Sequence, residues 1–304
     1  MNRLKTVFFL FVLFIFFQQH VFAEKNKDKR GRYYSFGIQG IGSYFFGDVS
    51  SSIKTIRSGI GTQYLNKLTP VFAITADVNY IRLVADDQSS SNVRKAGSSS
   101  AAYIRNLHMR NDVVEMAVHG RIELLPCNDY FVKREKVNAF ATIGIGLLYT
   151  NPQAKDSTGH WRNLRTIHTE NQTYSKFTAF VPVSVGVQYK ITNHIDLEFE
   201  FGYRFTFTDY LDDVKGQYVD PSQLQSDDAR YFANRSADPK DHYNGHSRDL
   251  NYVQNNLGYP IVTSSGGYSY VSSTAPGQAR GTRFGLDGYF VAMVRIVYIL
   301  PVRH

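Results

Sequence analysis

Glu198 and Glu200 stand two residues apart, with Asp196 before them and Arg204 after. Two neighbouring carboxylates can serve as acid and base when their surroundings push their pKa values apart. The same types recur in Glu115, Arg121 and Glu123, and singly in Asp77 and Arg295. Even spacing puts residues on one face of a pleated strand. Both signs on one such face read as a salt-bridged network, because charges in a poorly hydrated interior persist when paired and hydrogen-bonded. Asp209, Asp212, Asp213 and Asp220 offer the oxygen ligands that Ca²⁺ takes, but not at EF-hand spacing. The simpler reading has Asp209 and Asp213 ordering a strand exit through hydrogen bonds to backbone and to a nearby Arg. His242 and His246 are four apart, a zinc spacing on a helix, yet Asn244-Gly245 between them marks a turn. Ser, His and Asp are present in the loops, but no nucleophile–base pair can be read from their spacing. No catalytic residue, metal site or cofactor is therefore expected.

These residues need elements to hold them, and the sequence repeats with a period of two. In residues 196–208 Leu197, Phe199, Phe201, Tyr203, Phe205 and Phe207 share one face, and the charged residues share the other. Such alternation signals a strand. Its length suits a tilted membrane-spanning strand, which needs about 9–11 residues. Similar segments lie at 33–46, 55–65, 70–84, 109–125, 137–150, 177–190 and 284–299. The alternation is poorest in 55–65. Together they predict an all-β fold: an eight-stranded antiparallel transmembrane β-barrel over 33–300, with apolar residues facing lipid. Aromatic residues make up 14% of the 304, enough to furnish interface girdles at strand ends. The charged faces would then fill a narrow lumen with Asp77, Glu115, Arg121, Glu123, Glu198, Glu200, Arg204 and Arg295.

The ends and links give an address and an orientation. Arg3 and Lys5 precede an apolar run from Val7 to Phe17, and Val21-Phe22-Ala23 follows. Residues 1–23 thus read as a secretory signal peptide cleaved after Ala23. Residues 24–32, EKNKDKRGR, form a basic lead. Links 66–69 and 191–193 are short and 126–136 is modest. Links 85–108, 151–176 and 209–283 are long, and Pro221 opens a short helix in the last of them, with Leu224, Ala229, Tyr231 and Phe232 as its apolar positions. Short turns face the periplasm in outer-membrane barrels, so both termini are expected there. One cysteine, Cys127, excludes an intramolecular disulfide framework. It lies with Asn128 and Asp129 in the second expected periplasmic turn, a candidate partner contact. The formal charge is +8, and no nucleic-acid partner is expected.

Several segments carry a resemblance. They are Gly202 to Val214, with its Thr-Asp-Tyr-Leu-Asp-Asp-Val run; Trp161 to Glu170, after Asn151-Pro152; Tyr44 to Asp48; and Asn234 to Asp241. Together these resemble a Bacteroidota family of outer-membrane β-barrels of unknown function, which includes the type IX secretion system component PorG. The resemblance spans nearly the whole mature chain. It marks Gly47, Asp48, Trp161, Glu170, Asp209, Tyr210, Asp212 and Asp213 as family-motif loop residues. The pattern departs at Asn171, where the family has glycine, and at Pro301-Val-Arg-His304, which lacks the usual terminal aromatic. The resemblance implies a noncatalytic anchor or assembly component in the outer membrane, surrounded by its lipid and contacting periplasmic ring or lipoprotein components of type IX secretion. The alternative is a surface-binding barrel whose loops 151–176 and 209–283 contact an external ligand or protein.

Overall fold

A computed structural model of the chain describes residues 32–89, 100–264, 266–281 and 285–301. The expected signal peptide, and all of the basic lead except Arg32, lie outside these residues. Eight long strands form the body: β1 (Tyr33–Phe46), β2 (Arg57–Lys67), β3 (Phe72–Asp86), β4 (His108–Glu123), β5 (Val137–Tyr149), β6 (Phe177–Lys190), β7 (Ile195–Thr206) and β8 (Gly288–Pro301). Each pairs antiparallel with the next in sequence. β8 returns to β1, from Tyr33 opposite Pro301 to Phe46 opposite Gly288. That pairing closes the sheet into a barrel and removes its edges.

The period-two pattern sets which side chains face in. On β7, Asp196, Glu198, Glu200, Arg204 and Thr206 are buried, while Phe199, Phe201 and Phe205 are about half exposed. A one-residue slip would exchange the two sets, so the register is strongly fixed. β1 and β6 fall on their expected positions. β2 and β3 begin two residues later than expected, and β8 begins at Gly288. At β2 the cause is local: the Thr55 hydroxyl accepts from the Ser52 amide at 3.0 Å and donates to the Ser52 carbonyl at 2.7 Å, which closes the 3₁₀ turn Ile53–Thr55 and delays the strand.

Inward side chains sort into three layers. At the end bearing the short turns, Tyr33, Leu65, Ala73, Val297 and Ile299 form an apolar floor. At the other end Ile41, Phe45, Ile81, Met109, Leu148, Phe180 and Tyr289 belong to an apolar layer that also takes in Leu211 and Val214 from a long loop. Charged residues lie between. Inward glycines make room for them: a Cβ on Gly37 would stand 2.6 Å from Cδ of Arg295.

Two of the long links are folded over their described residues. The link between β5 and β6 contains a hairpin of Pro152–Lys155 with Trp161–Asn163, which extends the sheet from β4, and a helical turn at Leu164–Ile167. The last link holds short helices at Asp227–Ala233 and Leu250–Asn255. The single helix expected from Pro221 is two pieces. Pro221–Gln223 is a 3₁₀ turn, and the α-helix starts afresh at Asp227 because the Ser226 hydroxyl caps the amide of Ala229 at 3.0 Å.

Candidate functional site

The lumen holds a continuous run of ion pairs. Near the floor, Lys67 pairs with Glu123 and Arg134 pairs with Asp196. Arg121 donates to Glu198 at 2.7 Å and to Gln188 at 2.7 Å, with its guanidinium 3.7 Å from the centre of the Phe140 ring. Arg295 bridges Glu198 and Glu200, the latter at 2.9 Å, and donates to Gln39 at 2.6 Å. Higher up, Arg204 stands 3.4 Å from Glu115, which also accepts from Tyr289 and from Asn79. Asp77 pairs with His119 at 2.9 Å. Glu198 and Glu200 are thus bridged by one arginine and, among the described residues, tied to no nucleophile. Arg121, Arg204 and Arg295 are at most 1% exposed, so these charges interact away from water, where pairing is strongest.

Lys67, Gln39, Asn79, Gln188 and His119 complete this network beyond the charged residues singled out from the sequence. Their inward parity was readable. Lys67 lies past the expected end of its strand, and β2 alternates poorly because Gly59 and Gly61 hold positions where a side chain would meet β3.

Above the lumen, the family-motif loop residues other than Trp161 gather in one cap. Glu170 accepts from Arg280 at 2.8 Å and from the amides of Lys215 at 3.0 Å and Gly216 at 3.2 Å. Arg280 also donates to the carbonyls of Asp213 at 2.7 Å and Ala233 at 3.1 Å. Asp213 accepts from Thr169 and from the Tyr174 hydroxyl, whose ring stacks on Tyr210 at 4.5 Å. Asp213 has φ +67° and Asn171 φ +55°, left-handed values that Asp and Asn tolerate best after glycine. This accounts for asparagine at 171 where the family pattern has glycine. Asp212 accepts from the amides of Val49 at 2.8 Å and Val214 at 3.0 Å.

Gly47 is required by close approach, since a Cβ there would lie 2.2 Å from the Phe45 ring and 2.3 Å from Oδ1 of Asp287. Asp48 presents its carbonyl to Arg105. Trp161 packs under Arg110, its ring centre 4.2 Å from the guanidinium.

One expectation is corrected. Asp209 is buried, and neither of its carboxyl oxygens has a hydrogen-bond partner among the described residues. The carboxylate that orders the strand exit is Asp287, which accepts from the amide of Leu211 at 2.7 Å. Burial pushes the Asp212 carboxyl up to about 8 and those of Asp209 and Asp213 up to about 6. Asp220 caps Ser222 at the surface. His242 pairs with Asp238 at 2.9 Å, and the Asn244-Gly245 turn carries the chain back toward His246. Among the described residues no three His, Cys, Asp or Glu side chains are placed to hold a metal.

At the other end, Cys127 is buried with its thiol toward the carbonyls of Asp129 and Tyr130, and burial pushes its pKa up. Asn128 is exposed, and Asp129 pairs with Lys133 at 2.6 Å. The turn is stapled to both neighbours: the Cys127 amide donates to Pro70 at 3.0 Å. Arg134 donates to the carbonyls of Asn193 at 2.8 Å and Thr192 at 3.1 Å.

The sequence profile of the outer membrane protein beta-barrel domain matches residues 9–226, well over half of the chain. The chain belongs to this family. Its place is the outer membrane, and the apolar outward face of the strands meets that membrane's lipid. Among curated proteins none matches. Among solved structures the chain is similar to Ail of Yersinia pestis, at 10% identity over 88% of this chain and 99% of that one, with a TM-score of 0.37. It is similar to Neisserial surface protein A, at 9% identity over 86% and 96%, with a TM-score of 0.37. It is also similar to OprG from Pseudomonas aeruginosa, at 7% identity over 90% and 98%, with a TM-score of 0.40. The matched family range takes in β1 to β7 and the first part of the last long loop.

The residues that sequence reasoning missed are mainly arginines. Arg105, Arg248 and Arg280 each gather several backbone carbonyls from different loops. A loop arginine has no period to betray it. The one available signal was the acidic motif 209–213, which needed a cation.

Proposed function

We propose that this family member is a noncatalytic outer-membrane anchor or assembly component associated with type IX protein secretion. Both termini and the three short turns face the periplasm, and a ring or lipoprotein component of the secretion machinery is the partner. The secretion assignment draws on the motif resemblance at 44–48, 161–170, 202–214 and 234–241. The orientation draws on loop length, since short turns are periplasmic in this class of barrel.

The observation that carries the reading is the platform at the short-turn end. Arg134 and the Cys127 amide tie the three turns together, so the surface is preorganised for binding. On it Tyr130 is 53% exposed and Val132 38% exposed, beside Asn128 and Lys133. Cys127 itself faces inward, so Asn128 and Asp129 are the outward members of the expected contact. The packed lumen agrees with a scaffold rather than a pore.

The test is affinity purification through a tag inserted at Gly266-Gly267, from a strain with an assembled secretion system, followed by mass spectrometry. Recovery of periplasmic ring or lipoprotein components is expected, and Tyr130→Ser with Val132→Asp should lose them while the barrel still folds. Recovery of the barrel alone would sink the reading and turn the search to loops 151–176 and 209–283.

A further inference from the structure

The outer wall of β3 and β4 changes character along its height. Its outward residues in the lower part are apolar, with Ile74, Val118 and Ile122 at least 40% exposed. Toward the long loops the outward positions become Arg82, Asp112 and Arg110, and the hairpin at 152–163 continues the wall with Lys155 and Trp161. Asp112 holds Arg82 bidentately at 2.6 and 3.1 Å and lies 3.7 Å from Arg110. Arg110 lies over Trp161, and among the described residues its one hydrogen bond goes to neutral Gln153, at 2.6 Å. The Lys155 ammonium is 5.5 Å from the centre of the same ring and donates to the Tyr243 carbonyl at 3.0 Å. Among the described residues Lys155 has no carboxylate partner. Three cations therefore share one carboxylate.

This surplus lies at the boundary of the apolar band, on the wall that faces lipid. Side-chain exposures of 40% for Arg82 and 22% for Arg110 leave both within reach of a ligand there. Cations at that height meet headgroups, and juxtamembrane basic residues attract anionic ones. Arginine suits phosphate by its planar set of donors. The aromatic platform holds Arg110 flat and outward at little entropic cost. We propose that the outer ends of β3 and β4, with the hairpin at 152–163, bind the phosphate groups of a phosphorylated glycolipid in the surrounding leaflet. The orientation given above enters only in naming that leaflet as the outer one.

Trp161 is the sole tryptophan of the chain, so its emission reports on this patch. The experiment titrates the full barrel, folded in zwitterionic detergent micelles, with three probes: a bisphosphorylated lipid A-type glycolipid, its dephosphorylated form, and inorganic phosphate. The phosphorylated glycolipid should give a saturable change in emission, with the other two at least ten-fold weaker. Arg82→Gln combined with Lys155→Gln, which leaves the Arg110–Trp161 pair in place, should weaken binding ten-fold or more. Lys155→Gln alone, on the surface hairpin, serves where the double variant fails the heat-shift test of folding on a gel. An equal response to the dephosphorylated glycolipid would overturn the proposal, as would saturation by inorganic phosphate at the same concentration or unchanged binding by the variants. Orientation is read separately, from antibody access on whole cells to the tag inserted at Gly266-Gly267, so the two ideas fail independently.

Discussion

Arg280→Gln should open the cap and leave the barrel closed. Arg280 is 3% exposed, and its guanidinium ties Glu170 to the backbone of Asp213 and Ala233. Removing it strands the Glu170 carboxylate and two carbonyls in a buried setting. Breaking one partner of a buried pair costs about 3–5 kcal/mol. At about 1.4 kcal/mol per factor of ten, cap opening should rise by roughly a hundred-fold to a few thousand-fold. The strand ladder makes none of these contacts, so its own free energy should hold. Hydrogen exchange read by mass spectrometry on the barrel in micelles separates the two. Amides of Lys215, Gly216 and Arg280, hydrogen-bonded within the cap, should exchange faster by that factor. Amides of β5 and β6 should not change. Unchanged exchange in the cap would refute the assignment of Arg280 as its keystone. Equal loss in cap and strands would refute the separation of the two units.

Other outcomes follow from the same contacts. Asp212, pushed up to about 8, stays protonated in the folded cap at a pH where an unfolded carboxyl, with a pKa of about 4, is already charged. The folded state thus binds more protons between those values, so cap protection should fall as pH rises from about 4 to about 8; flat protection across that window would contradict the burial argument. Arg295→Met leaves Glu198 and Glu200 facing each other without their bridge, and should lower barrel stability to urea by about 3–5 kcal/mol. Gly186→Val would place a side chain against the Phe140 ring, 2.3 Å from a built Cβ, and disturb the ring on which Arg121 rests; slowed refolding into micelles is the expected readout. In a planar bilayer the wild-type barrel should give no steady conductance, and an ohmic step would contradict a packed lumen.

The strands were legible because period two is a local property. Residues 33–46 and 177–190 could be bounded from alternation alone. The lumen charges were legible for the same reason, since parity tells which side chains point inward. Partners were not, because the pairing of Arg121 with Glu198 depends on strands that are not neighbours in the sheet. The cap resisted further still. Asp209 and Asp287 are equivalent as isolated aspartates, and only the folded loop gives Asp287 the Leu211 amide and leaves Asp209 with no hydrogen-bond partner among the described residues. The helix at Asp227–Ala233 was placed too early because Pro221 is a good opening residue, while Ser226 is a better cap.

The cap also says something about the order in which the molecule is made. Its ties join residues far apart in the chain: 110 positions between Glu170 and Arg280, and 163 between Val49 and Asp212. The strands, by contrast, pair largely with sequence neighbours until β8 meets β1. Contacts of long separation form late, because the loop entropy must be spent first. Arg280 and Asp287 immediately precede β8, so the cap waits for the chain that threads the final strand. An unfinished barrel would therefore show an open top with loose loops, and a finished one a shut top. Resistance of loop 209–283 to cleavage becomes a mark of completed assembly, a maturation stamp carried on the molecule itself.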